Sequence, residues 1–196
     1  MLRLIFRGVE IYRTKGVAGV AIKFGGNTVC IDSLNVNKCN YILYTHNHSA
    51  HFPGNVDSFY SPFGGHVVKP NDILNLDPFK ISVVDAYNIT KLKGGKPIHP
   101  KGMGVGYIID VGGVRIYHTG DTDLIKEITS AIPVDILLLP IGGDSVMTPE
   151  EAAEAVMLLR PKIVIPLHYS EKKYYVKFRD IAYPYSNIVL LPEDTE

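Results

Sequence analysis

A chain of 196 residues, 46% of them hydrophobic and 20% charged, carries enough apolar side chain for a sizeable core, which excludes a low-complexity or disordered protein and makes one domain over residues 1–196 the expectation. Twenty basic and twenty acidic side chains cancel, so no overall field draws the chain to nucleic acid or to an anionic membrane, and neither is expected as a partner. Any charge preference must be local.

The opening stretch MLRLIFRGVEIYRTKG alternates apolar and charged residues instead of setting a basic segment before an apolar run. It reads as neither signal peptide nor membrane span, and a cytoplasmic location is the expectation. The first half then predicts short strands at LRLIFRG, VEIYRT, VAGVAIKF, NTVCIDS, YILYTH, SFYSP, HVVKP and KISVVDAYN, each bounded by Gly, Asn, Asp or Pro and arranged as antiparallel hairpins. Gly25-Gly26-Asn27 and Val111-Gly112-Gly113 fall at hairpin turns, where Gly accepts a positive φ and Asn tolerates one. Cys30 and Cys39, with eight residues between them, match neither a zinc-ribbon nor a redox spacing and read as two structural or incidental thiols. A disulfide is the alternative, on the condition of a hyperthermophilic source.

After the strand pair GVGYIID and GVRIYHTGD, the segment DLIKEITSAI predicts a helix from Leu124, Ile125, Ile128 and Ile132, and VDILLLPIGG a buried strand. Thr148 as N-cap, Pro149 at the first helical position and Glu151 completing a capping box predict a helix over AAEAVMLL that stops before Pro161. KIVIPLHYS is the next buried strand. The aromatic-rich KKYYVKFRDIAYPYSN is expected to cover a sheet edge, with a subunit interface, and hence a homo-oligomer, as the alternative. Strands early and alternating strand and helix late suggest two sheets packed face to face with helices outside.

Residues 41–54, YILYTHNHSAHFPG, place His46, His48 and His51 at spacings of two and three. With the strand ending near Thr45, His46 and His48 emerge on one side, about 7 Å apart at Cα, and can close on one ion. His51 is near enough to serve a second. A polar loop can also collect histidines without binding anything. Against that reading, Asp121 in YHTGDTD and His168 in KIVIPLHYS bring two more ligand types to strand termini, and the loop holding His99 adds a fourth strand end.

The ordered series T-H-N-H-S-A-H, H-P-K-G with G-V-G-Y-I-I-D, R-I-Y-H-T-G-D-T-D, L-L-L-P-I-G-G and V-I-P-L-H-Y resembles the metallo-β-lactamase superfamily. It is most similar to the small single-domain branch that includes ascorbate-6-phosphate lactonase-like hydrolases. The resemblance implies an α/β (α+β) four-layer αββα sandwich of two mixed sheets in pseudo-equivalent halves, with a metal site at the mouth between them. His46 and His48 match the first-metal histidines, and His51, Asp121 and His168 match second-metal or bridging positions, Asp121 being the shared ligand. The resemblance further implies a metal-activated water as nucleophile.

Two departures stand out. The motif H-x-H-x-D-H has its aspartate replaced by Ala50, and Asn88 stands where a third first-metal histidine is common. His99, eleven residues on in PIHPKG, is the candidate replacement, with a weak amide oxygen from Asn88 as the alternative. Loss of a carboxylate predicts one tightly held metal and a weaker second, unless Asp57 or Asp85 folds in. Zinc is the leading expectation, and manganese, iron and nickel suit the same ligand types.

His118 reads as orienting Asp121 or a neighbouring imidazole through its free N–H. His66 reads as an ordinary strand or surface histidine. Lys91, Lys93, Lys96 and Lys101 surround two glycines in a solvated loop, from which Lys101 could receive an anionic group of a small-molecule substrate. G-M-G-V-G leads into a strand and is no dinucleotide loop. The functional expectation is a metal-dependent hydrolase acting on an ester, lactone or phosphoester bond, with Asp121 and His99 as catalytic residues, Asn88 and Lys101 near the substrate, and His99 or a bound water handling the leaving group's proton. A degenerate relative that binds metal or metabolite without turnover is the alternative, favoured by Ala50.

Overall fold

The computed structural model describes residues 2–193, and these build two seven-stranded sheets laid face to face. The first sheet takes its strands in chain order, from β1 (Leu4–Phe6), β2 (Val9–Arg13), β3 (Val20–Phe24) and β4 (Asn27–Ile31) to β5 (Tyr41–Leu43), β6 (Tyr60–Ser61) and β7 (His66–Val67). Pairing is antiparallel from β1 to β4, with Gly25 and Gly26 at positive φ in the β3–β4 turn. From β4 to β7 it is parallel. The expected run of antiparallel hairpins therefore ends at Ile31. Connections from Ile31 to Tyr41 and from Leu43 to Tyr60 are long enough to carry the chain back to its starting end, which a parallel pair requires.

The second sheet repeats the scheme. Its strands are β8 (Ile73–Leu76), which the sequence analysis missed, and β9 (Phe79–Ala86), followed, after a separate hairpin of β10 (Leu92–Lys93) and β11 (Lys96–Pro97), by β12 (Gly104–Val111), β13 (Val114–His118), β14 (Ile136–Pro140), β15 (Ile163–Leu167) and β16 (Asn187–Ile188). In space they run β16-β15-β14-β13-β12-β9-β8, antiparallel from β8 to β13 and parallel from β13 to β16.

Alternation along each strand decides the layers. Ile136 and Leu138 of β14 join the core between the sheets, where they meet Ile11, Ile22, Val29 and Ile31 of the first sheet. Leu137 and Leu139 point the other way, into a second core under the helices. A strand buried on both faces must read as a continuous apolar run, as ILLLP does. Helix α1 (Pro149–Leu159) starts as the sequence dictates: the Thr148 hydroxyl accepts from Glu151 N, the Glu151 carboxylate accepts from Thr148 N, and Arg160 ends the helix in the left-handed region before Pro161.

Two elements depart from expectation. DLIKEITSAI forms only a six-residue 3-10 helix, Lys126–Ala131, with no side-chain cap at Ile125 and Pro133 close behind it. The aromatic tail is mostly helix α2 (Lys172–Ala182), which buries Phe178 and Ala182 against α1 and the outer face of the second sheet. Only β16, paired with β15, covers the sheet edge. Among the described residues all helices lie on this one outer face, and none is long and apolar enough to cross a membrane.

The outer face of the first sheet carries a small cluster of Tyr12, Ala21, Cys30 and Cys39, and the two cysteines are joined as a disulfide. This corrects the reading of them as separate thiols. Spacing had no means of showing that the chain from Asp32 to Asn40 folds back across β4. Replacing both cysteines by serine is expected to lower unfolding free energy in urea by about 2–3 kcal/mol, as follows for a short closed loop; an unchanged midpoint would mean the loop is held without the bond.

Candidate metal centre

The C-terminal ends of β4, β5, β9, β13, β14 and β15 meet at one rim of the two sheets, so side chains just past them converge. Asp32 follows β4, His46, His48 and His51 follow β5, Asn88 follows β9, Asp121 follows β13 and His168 follows β15. His99 arrives by another route. The chain leaves at Asn88, turns out through the β10–β11 hairpin and returns, closed by hydrogen bonds from Asn88 N to His99 O and from Ile98 N to Lys91 O.

Asp121 lies at the focus. Its Oδ2 is 3.7 Å from His46 Nε2, 3.4 Å from His51 Nε2, 3.7 Å from His99 Nε2 and 3.3 Å from His168 Nε2, while His48 Nδ1 is 3.2 Å from His99 Nε2. Three groups of donor atoms result among the described residues, His46/His48/His99, His51/Asp121/His168 and Asp32/His46/His51, the atoms of each within 4.8 Å of one another; in the third, Asp32 stands behind the rings, and the first two face the centre. Two ligands at about 2.1 Å from a tetrahedral ion stand roughly 3.4 Å apart, so this spacing fits a bound cation. A second observation agrees. His46 Nε2 and Asp121 Oδ1 are buried without a hydrogen-bond partner, an unfavourable state that a cation relieves.

The outer nitrogens of the rings are held from behind. Asp32 Oδ1 accepts from Thr45 N at 2.8 Å, its Oδ2 accepts from the Thr45 hydroxyl at 2.7 Å, and the same Oδ2 is 2.9 Å from His51 Nδ1. Because the Thr45 hydroxyl gives its proton to Asp32, it accepts from His46 Nδ1, 2.9 Å away, which assigns the His46 lone pair to Nε2 and the centre. Asn88 does the same for His99. Its Oδ1 accepts from His99 N at 2.9 Å and from His99 Nδ1 at 2.8 Å, and its Nδ2 donates to Asp123 Oδ1 and Ser145 O. Asp123 Oδ2 in turn fixes Ile89 N, Thr90 N and the Thr90 hydroxyl.

Between His99 and Asn88, then, the ring of His99 faces the cluster and the amide stands behind it. Both nitrogens of His99 are engaged, so it carries no spare proton for a leaving group. His118 is also placed differently from expectation. Its Nε2 donates to Ala18 O and its Nδ1 accepts from Gly120 N, so the buried ring fixes the turn before Asp121 through main chain and touches neither Asp121 nor an imidazole.

Electrostatics follow from burial and neighbours. Burial pushes the His46 imidazole down to about 3 and lowers that of His99, leaving both neutral with lone pairs inward. Burial also opposes charge on His51, but the carboxylates of Asp121 and Asp32 on either side outweigh it and raise the ring to about 10. Asp121, despite burial, is held well below the usual carboxylate range by His51 and His168.

Ala50 is exposed, and neither Asp57 nor Asp85 is among the described residues grouped around the histidines, where the carboxylates are Asp32 and Asp121. Asp57 lies in a surface hollow with Tyr41 and Tyr60, and Asp85 faces Lys101 at 3.7 Å. Lys101, half exposed, is paired with Glu127 at 2.8 Å, and Lys91 with Glu151 and Asp123. His66 is exposed on β7, stacked on Tyr60. Asp32, Thr45 and Asp123 were missed. Asp32 carried the signal used for Asp121 and His168, an acidic residue ending an apolar strand.

Comparison with known proteins places these features in a family. The model of the Beta-lactamase superfamily domain matches residues 14–168. A metal-dependent hydrolase of Thermococcus onnurineus is 31% identical over 87% of this chain and 85% of its own, and one of Thermococcus kodakarensis is 32% identical over the same shares. Among solved structures, a Parabacteroides distasonis protein superposes with a TM-score of 0.84 over 98% of both chains at 24% identity. A metallo hydrolase of the hyperthermophilic archaeon Ignicoccus hospitalis gives 0.72 over 96% of both chains at 22% identity, and a metallo-beta-lactamase fold protein of Bacillus subtilis gives 0.71 over 91% and 90% at 12%. At such identities the structures speak to fold alone.

The Asp32 network predicts a graded outcome. Asp32→Asn, which keeps size but removes an acceptor shared by Thr45 and His51, is expected to weaken binding of both ions about 10- to 100-fold in chelator competition. Asn88→Ala should weaken only the ion held by His99. Equal effects of the two variants on both ions would contradict this division.

Proposed function

The chain belongs to the beta-lactamase superfamily and has the metallo-β-lactamase fold, and from that premise we propose that it is a metal-dependent hydrolase acting on an ester, lactone or phosphoester bond of a small molecule. The observation that carries the reading is the set of ring nitrogens aimed at Asp121, where His46 Nε2 and Asp121 Oδ1 are both buried without hydrogen-bond partners. A site built for stability alone would satisfy them.

In this reading His46, His48 and His99 hold a first cation, His51 and His168 a second, and Asp121 is shared. Divalent cations there, zinc foremost, supply Lewis acidity and bring the pKa of a coordinated water toward neutrality. The protein's part is positional. Asp32 and Asn88 fix the ring tautomers, and Asp121 would be held between the two groups of imidazoles. With Lys101 and Lys91 paired elsewhere, the substrate need not be anionic.

Ala50 leaves the second group one ligand short of the family motif, so the second ion binds more weakly than the first. Restoring the carboxylate by Ala50→Asp is expected to raise second-ion affinity, read as stoichiometry by calorimetry; unchanged stoichiometry would remove this account of the alanine.

The functional test is turnover. Metal-loaded protein is expected to cleave at least one of a generic ester, lactone or phosphodiester, and His46→Ala to abolish that activity while the chain stays folded. The competing reading is a degenerate relative that binds without turnover, favoured by Ala50. It would appear as a ligand-dependent rise in melting temperature with no product.

A further inference from the structure

Two open cavities adjoin His168 and share Val17, His168 and Tyr169, so they form one groove. One arm is walled by Gly142, Asp144, Ser145 and Ser170. The other, about 350 Å³, is walled by Leu190, Leu191 and Pro192, with Arg13 and Glu193. We propose that this second arm seats an uncharged acyl or alkyl group of the substrate. The inference rests on the hydrolase reading and narrows its substrate class.

Three observations support it. Val17 and Leu190 are apolar yet 38% and 44% exposed, and they stand beside the ligand cluster, where apolar surface open to solvent suits a ligand. The wall and the cluster are one unit, because His168 N donates to Val17 O at 3.0 Å. The charges disfavour an anion. Arg13, the one cation among the described lining residues, donates Nε to Gly19 O and Nη2 to Gly16 O and Val17 O, and Glu193, which accepts from Gly16 N, opposes its charge. Within this arm the two charges therefore offset each other. A carboxylate or phosphate in this arm would leave water for a lining that offers it no unpaired cationic side chain, whereas an alkyl chain covers Val17 and Leu190.

The test is binding, measured by calorimetry on the purified protein with hexanamide, an uncharged alkyl amide, and with adipamic acid, the same chain ending in a carboxylate. Hexanamide is expected to bind about tenfold more tightly. Leu190→Ser should weaken it and Val17→Lys should reverse the order of the two probes, both variants keeping the wild-type melting temperature. Equal binding of the probes, or hexanamide affinity indifferent to both substitutions, would overturn the proposal. A second arm compares turnover of a hexanoyl ester with that of the matching adipoyl half-ester. Preference in binding with no turnover of these esters, a lactone or a phosphodiester keeps the groove and overturns the hydrolase reading; turnover of both esters at equal rates overturns the groove and keeps the hydrolase.

Discussion

A carboxylate buried at the rim of two sheets and ringed by four imidazoles is the constraint on which the rest of the molecule depends. Asp121 Oδ2 has His46, His51, His99 and His168 within 3.3–3.7 Å, and such a group persists inside a protein only if positive charge or aimed donors surround it. The fold meets that demand by geometry. Parallel pairing from β4 onward and from β13 onward brings the C-terminal ends of several strands to one edge, and apolar runs such as ILLLP and IVIPL hold those ends rigidly. Short loops then need to place only one or two side chains each.

The two groups of ligands are unequal, and the inequality has a physical origin. His46 and His99 are neutral through burial, each with an outer nitrogen donating to Thr45 or Asn88, so the first group is ready to bind a cation. The second group has His51 between two carboxylates and an exposed alanine where a further oxygen ligand would stand. Asp32 couples the two, since one carboxylate oxygen meets both the Thr45 hydroxyl behind His46 and the ring of His51.

Much of this was legible along the chain, because the informative signals were local. His46, His48, His51, Asp121 and His168 each follow an apolar strand, and the capping box of α1 is written in Thr148 and Glu151. What escaped depends on contacts between distant residues. Parallel pairing of β4 with β5, the bond between Cys30 and Cys39 and the pairing of Lys101 with Glu127 leave no trace in a local pattern. The choice between Asn88 and His99 turned on a hairpin excursion that returns to its start, so that residues eleven apart meet at 2.8 Å. The 3-10 helix at Lys126–Ala131 is a different failure, a helical period without the caps to extend it.

The account makes Asp121 the shared centre of a metal site whose substrate groove opens past His168 toward Leu190. Anomalous diffraction from crystals grown with a divalent metal, recorded at that metal's absorption edge, tests this directly. The account predicts a strong peak within bonding distance of His46 Nε2, His48 Nδ1, His99 Nε2 and Asp121 Oδ2, with a weaker one between Asp121, His51 and His168. A peak bound by the Asn88 amide in place of His99, or no ordered peak among these histidines, would contradict it.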